Sequence, residues 1–415
     1  MRAAADLPYV RSMSTVDTYE EIEEVLRSKD FAQGVHYESS AFAQDTLITL
    51  DGRPHADRRR LEGPLFHREA LRTYEERDLA PVIAQSIASL AEQADDDGVV
   101  RADLVALMDQ LLHRFAAATA GLDGVEGEPA VRRFLDDVHA LGAGWQIEWW
   151  EGDHDEVMRT ALAARDRVAR EFVAPSLRRR RALADDVRSG RCAKSDVPTD
   201  LLMTLALSDE QLDEGFALRE VVFYIVAATQ TTAHAIVHLF RHLDEWFTEH
   251  PDQAGRRDDE EFLRRAANES LRLHSPHPAF VRVATKDTTL GSGRSFRAGE
   301  RVALLYAQAN RDAQRYGADA QAFDPDRRID ASAPHWGFTF GAGTHACIGR
   351  PVAIGAPDRP DGGRGTVGSL VTIMRALYAV DARMVPDLAP VRSGVSQHDA
   401  YERFPIEIRV GGART

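Results

Sequence analysis

Lysine is nearly missing from this chain: Lys29, Lys194 and Lys286 stand against 48 arginines in a total of 51 basic residues. Such a bias reads first as coding composition. Cysteine is as scarce. Cys192 and Cys347, far apart in sequence, exclude a disulfide framework and a multi-cysteine metal site, and they fit a reducing, cytoplasmic setting. Positive charge is in deficit: 51 basic against 66 acidic residues leave −15, which excludes general binding to nucleic-acid backbones or anionic membranes. The opening residues, "MRAAADLPYVRSMS", contain no apolar run, so neither secretion nor an N-terminal anchor is expected. One charge-free stretch, Val221–Phe240, is long enough to cross a bilayer. It carries Thr229, Gln230, Thr231, Thr232, His234 and His238, however, and is expected to be a buried helix.

Strand patterns are also few. Helical periodicity dominates, in "VDTYEEIEEVLRSKDF" (16–31), "RDLAPVIAQSIASLAEQ" (77–93), "LVALMDQLLHRFAAATAGL" (104–122) and "HDEVMRTALAARDRVAREFV" (154–173). Short strands are expected in 281–290, 300–308 and 403–410. The expected fold is mainly α with a small β-sheet portion, in a single domain spanning 1–415. Ser208 and Gln211 have capping-box spacing and predict the start of the long helix that contains Val221–Phe240. Two stretches look irregular, 188–200 and the Gly- and Pro-dense 356–369.

The strongest local signal is "FGAGTHACIG" at 340–349. Its glycines permit positive φ and close approach to a flat partner, and Cys347 offers one soft ligand. A lone thiolate suits a metal held mainly by a macrocycle, of which haem iron is the obvious case. Phe340, Gly341, Gly343, His345, Cys347 and Gly349 reproduce F-G-x-G-x-H-x-C-x-G, and on this string the chain resembles the cytochrome P450 family.

The resemblance extends to other motifs. Glu269 and Arg272 form an E-x-x-R pair at i, i+3, and "NRDAQRYGADAQAFDPDRRID" (310–330) resembles the meander in which Arg327 completes a structural Arg–Glu–Arg cluster. His55 and Arg59 match H-x-x-x-R; with His345 and Arg282 the resemblance makes them partners of the haem propionates. "AATQTT" (227–232) aligns with the oxygen site, usually A-G-x-D/E-T-T. Thr231 then handles dioxygen and the water that protonates it, while Gln230, an amide that cannot titrate, stands where the family has an acid. A hydroxyl bonded back to the i−4 carbonyl would bend the helix into a groove there. His234 and His238 have the i, i+4 spacing of a zinc pair, but no third ligand is near and the H-E-x-x-H glutamate is absent.

The implied fold places haem between the long oxygen-site helix and the cysteine loop. By position, the substrate pocket would draw on parts of 34–50, the Trp145–Trp150 region, Val226 and Ala227, and Pro278, Ala279 and Phe280. Three departures stand out: an N-terminus that looks shortened, with the first helix and strand missing or replaced; Gln230; and an apparent loop insertion at 356–369. The implied function is a haem-thiolate monooxygenase. It would use haem b (iron protoporphyrin IX), dioxygen and electrons from NAD(P)H, passed through a reductase and a ferredoxin, to oxidise a small, largely apolar metabolite in secondary metabolism. No nucleic-acid or membrane partner is expected. Arg58, Arg59, Arg60 and Arg350 are candidates for docking an acidic ferredoxin. The alternatives are oxygen-sparing or peroxide-driven chemistry linked to Gln230, and a non-catalytic haem-binding protein.

Overall fold

A computed structural model describes residues 4–208, 213–329, 333–358 and 362–409. The chain forms two compact units, one from Met1–Val35, Ile83–Met108 and Thr231–Thr415, the other from His36–Val82 and Asp109–Gln230. Their segments alternate along the sequence, so neither can be cut out as one continuous piece.

The first unit holds the sheets. Ser14–Val16 pairs in parallel with Arg301–Leu304, which pairs antiparallel with Phe280–Ala284, and Phe31–Gln33 closes the other edge. A strand is therefore present in the N-terminal region, where the sequence pointed to a missing or replaced one. The expected strand 281–290 breaks after Ala284 and resumes as Thr288–Thr289, and the 300–308 stretch turns helical at Tyr306–Ala309. Pro405–Arg409 sits between Val99–Asp103 and Arg383–Met384 in a second sheet. Within this unit Tyr19, Ile22, Phe31, Val302, Tyr306 and Phe338 share one hydrophobic core.

Each helix predicted from periodicity forms. Thr18 caps Tyr19–Arg27 by accepting from the Glu21 amide, and Asp153 caps His154–Val168 in the same way. The long helix is Glu214–Glu249, 36 residues or about 54 Å at 1.5 Å per residue. It begins later than the spacing at Ser208 suggested. Ser208 instead closes the preceding helix, Leu201–Leu207, and Asp213 supplies the start, its Oδ1 accepting from the Phe216 amide at 2.6 Å. Gln211 lies outside the described residues. By length and composition this helix passes the test for a membrane span, yet more than half of its apolar window is buried in protein.

The stretch after the cysteine loop has a defined shape. The helix Arg350–Ile354 stops at Gly355, φ 73°, and Ala356 and Thr366 then pair antiparallel before Ser369–Ala379 begins. A Cβ at Gly355 would overlap the Thr366 carbonyl, so this stop requires glycine.

Candidate haem-thiolate site

In the first unit the cysteine loop is held from below by a buried ion cluster. Arg272 Nε and Nη2 donate to the two oxygens of Glu269 at 2.8 and 2.6 Å, and Arg327 Nε donates to Glu269 Oε1 at 2.8 Å. The remaining donors reach backbone: Arg272 Nη1 to Asn310 and Ala320 carbonyls at 2.7 Å each, and Arg327 Nη1 to Tyr316 O at 2.7 Å. Asp319 accepts from Arg327 at 2.6 Å and balances the second guanidinium. Buried charges survive only when paired and fully hydrogen-bonded, and these ties pin the 310–327 meander to the Glu260–Leu273 helix. Glu269, Arg272 and Arg327 are thus brought together in one buried cluster.

The meander passes the constraint on to the loop. Asn310 Oδ1 accepts from the Phe338 amide at 2.7 Å, and Thr339 Oγ1 donates to Leu271 O at 2.7 Å. Gly341 and Gly343 take φ of 62° and 66°, and the Cys347 amide donates to Phe340 O at 2.8 Å, closing the turn. Gly343 lies against the end of the Tyr19–Arg27 helix; a Cβ there would strike Leu26 O and come within 3.2 Å of Arg27 Cα. Phe340 meets Trp336 edge-on at 5.9 Å, and Arg350 covers Trp336 at 4.8 Å. Cys347 ends up exposed at the tip, with Gly349 beside its sulfur and His345 half-buried in the turn before it.

Among the described residues two side-chain groups could gather around a metal ion, Asp109–His113–His139 and His238–His274–Asp399, and Cys347 is in neither. Its thiol is thus a single soft ligand on a preformed loop, which fits a macrocycle-held iron and does not fit a protein-ligated zinc. Arg282 is buried on the Phe280–Ala284 strand, with its guanidinium against the Gln33 amide oxygen and 5.0 Å from the Phe280 ring.

The second unit contains the other motif residues. His55 is buried on the Gly52–Glu62 helix, and Arg59 is half-buried one turn later. Arg58 is not available for docking, because it is paired with Glu220 and lies 4.1 Å over the Phe216 ring. Glu220 and Glu62 are both fully buried, and the Tyr224 hydroxyl donates to Glu62 Oε2 at 2.8 Å. Burial pushes Glu62 up to about 7, and burial plus the Glu62 charge push Glu220 well above the usual carboxylate range.

On the long helix Ala227 and Ala228 are exposed although Val221–Phe223, Ile225 and Val226 before them are buried. Small, exposed side chains therefore stand at the predicted oxygen site. Thr229 makes the back-bond, to Ile225 O at 2.8 Å, and Thr231 is half-buried. Gln230 is committed elsewhere: its Oε1 accepts from Gln146 Nε2, and its amide nitrogen lies where a Cβ on Gly142 would be. Sequence reading missed Gln146 and Gly142, which lie more than eighty positions away. Trp145 and Trp149 are core residues, Trp145 stacking on Phe223 at 5.8 Å and touching the His36 ring at 4.9 Å. Of the other pocket candidates, Val226 and Ala279 are buried, whereas Ala227, Pro278 and Phe280 keep accessible surface.

The comparisons decide the family, because the model described as "Cytochrome P450" matches residues 147–355, about half of the chain. The chain belongs to the cytochrome P450 family. Among curated P450s it is 29% identical over 195 residues to the bifunctional cytochrome P450/NADPH–P450 reductase 2 of Bacillus subtilis, a match that spans 42% of this chain and 18% of that protein. It is 26% identical over 352 residues to the cyclooctat-9-en-7-ol 5-monooxygenase of Streptomyces melanosporofaciens, spanning 77% of this chain and 72% of that one. In fold it resembles the crystal structure of CYP109E1 from Bacillus megaterium in complex with testosterone, with a TM-score of 0.69, 20% identity, and coverage of 96% and 94% of the two chains. The helix-rich architecture with small sheets is thus the P450 fold.

Proposed function

We propose that this P450 is a monooxygenase that oxidises a small organic metabolite, with residues 1–415 acting as one functional domain. The observation that carries the proposal is Cys347, a lone thiol on a glycine-shaped loop buttressed by Glu269, Arg272 and Arg327. Haem bound there supplies the iron at which dioxygen is activated with two electrons. The protein's own part is to hold Cys347 as thiolate ligand, to place Phe340 and Gly341 behind it, and to offer Arg282 and His345 to the propionates; His55 and Arg59 are assigned the same role on their motif. On the long helix, one turn after Ala227 and Ala228, the Thr231 hydroxyl orients water for proton delivery. Gln230 cannot supply a proton, and its bond to Gln146 gives it a tethering role.

Electrons would come from NAD(P)H through a reductase and ferredoxin, with Arg59, Arg60 and Arg350 the remaining docking candidates. Oxidation of a terpenoid-like or other largely apolar metabolite is the reading that the similarity to the cyclooctat-9-en-7-ol 5-monooxygenase supports; a cytoplasmic setting and a place in secondary metabolism are part of the proposal, the former resting on the scarcity of cysteine. The test is the reduced, carbon-monoxide-bound spectrum. A red-shifted Soret band is expected, lost in Cys347→Ser and retained in Cys192→Ser. A parent protein without that band ends the proposal.

A further inference from the structure

Six of the chain's 15 histidines come together in the first unit, from three segments distant in sequence. His234, His238 and His242 follow Thr231 on the long helix, His274 and His277 follow the Glu260–Leu273 helix, and His398 lies in the loop before Tyr401. The rings are in contact: His277 and His398 at 5.2 Å, His234 and His398 at 6.2 Å, His238 and His274 at 4.1 Å. The set divides in two. His238 and His274 are occupied by Asp399, through its carbonyl at 2.7 Å and its carboxylate at 2.7 Å respectively, and His242 by the Ser270 hydroxyl at 3.0 Å. The His238 and His274 rings stack parallel to within 11°, and Asp399, which holds both, is also paired with Arg392.

His234, His277 and His398 form the second half, and His234 and His277 keep accessible surface. The guanidiniums of the cluster lie toward His238, His242 and His274. The long helix contributes Arg241, with its partner Glu245; the segment after Tyr306–Ala309 contributes Arg311; the C-terminal loop contributes Arg392 and Asp399. Tyr401, against the His238 ring, is neutral at ordinary pH. His234, His277 and His398 therefore face one another, with the Asp399 carboxylate the charged neighbour of His234, so an anion entering here has to bring its own proton. Burial keeps the three imidazoles uncharged, His234 and His277 at about 4 and His398 well below the usual histidine range, so each can take up a proton when an anion arrives.

We propose that His234, His277 and His398 form a recognition site for a carboxylate carried by the substrate, which binds together with a proton. This deepens the monooxygenase reading and rests on it for calling the ligand a substrate. An imidazole N–H donates to each carboxylate oxygen, and one ring becomes imidazolium, restoring charge balance in the desolvated site. An alcohol of equal chain length gains a hydrogen bond but no proton.

The experiment is calorimetric titration of the haem-loaded protein with decanoate and with decanol from pH 6 to 8, in buffers of different ionisation enthalpy. The proposal expects uptake of about one proton per decanoate, affinity rising about tenfold for each pH unit lowered, and a flat profile for decanol. His398→Gln and His277→Gln should each abolish the proton uptake and weaken decanoate at least about tenfold at pH 6.5, with decanol within about twofold. If one variant fails to fold, as judged by circular dichroism, the other decides. Equal binding of the two ligands, decanoate binding without proton uptake, or uptake that persists in the folded variants overturns the proposal. A normal carbon-monoxide band with any of these results leaves the monooxygenase reading standing while this one falls.

Discussion

Glu62 and Glu220 place two carboxyl groups in a fully buried space, where Arg58 pairs with Glu220, the Tyr224 hydroxyl donates to Glu62, and Arg59 adds a weaker positive field. The pair cannot both ionise without leaving a net buried charge, so it retains a proton. The folded-state pKa of Glu62, about 7, lies above its ordinary 4.5. The folded chain therefore holds a proton that the unfolded chain releases across that window. Stability from this group is full below pH 4.5 and is lost as pH rises toward 7, by at most about 1.4 kcal/mol per pH unit. Denaturant unfolding from pH 5 to 8 should show this decline, and Glu62→Gln should flatten it and be the more stable protein at pH 8. An unchanged slope in the variant would assign the proton elsewhere. Removal of a partner acts in the opposite sense at Glu269. Glu269→Ala leaves two buried guanidiniums facing each other and should cost about 3–5 kcal/mol, measured as a lowered unfolding midpoint with loss of bound haem.

At the scale of elements, the cysteine loop is a local design anchored by distant backbone. Gly343 needs positive φ and also lies too close to Leu26 O for any side chain. Gly343→Ala should cost more than the roughly 1 kcal/mol of a left-handed alanine, because the loop must also lift from the Tyr19–Arg27 helix. The expected result is near-parental far-ultraviolet circular dichroism with a weakened or shifted thiolate Soret band; an unaltered band would mean that the contact does not set the loop. The long helix shows why some of the candidate site was legible and some was not. Its apolar run and the "AATQTT" string could be read directly, since both depend on residues within one or two turns. That Gln230 would bond to Gln146 could not, because the pairing requires the Glu128–Trp145 helix to bring Gly142 alongside. Arg58 was misassigned for the same reason: three adjacent arginines look alike in sequence, and only Glu220, 162 positions away, takes Arg58 out of solvent.

For the whole molecule, a net charge of −15 would repel an acidic electron donor at long range, so the proposed ferredoxin route requires local basic residues. Arg350 is exposed and stacked on Trp336 beside the cysteine loop, a position that suits the task. Reduction by an added acidic ferredoxin should slow as salt rises, and Arg350→Glu should slow it by about tenfold at low ionic strength with the haem spectrum intact. No salt dependence, or parental rates in the variant, would remove Arg350 from the docking surface.

The amino-acid sequence by itself determined the elements whose physics is short-range. These are the E-x-x-R pair on one helix face, the glycine turn that presents Cys347, and the small residues ahead of Thr231. Each depends on helix periodicity or on allowed φ, and both can be read within about ten residues. Tertiary structure alone decided which polar groups share a desolvated space: Glu62 with Glu220, Gln146 with Gln230, and His234 with His277 and His398. Burial and charge imbalance are properties of a place in the fold, and residues up to 164 positions apart, as His234 and His398 are, meet there only through the path of the chain.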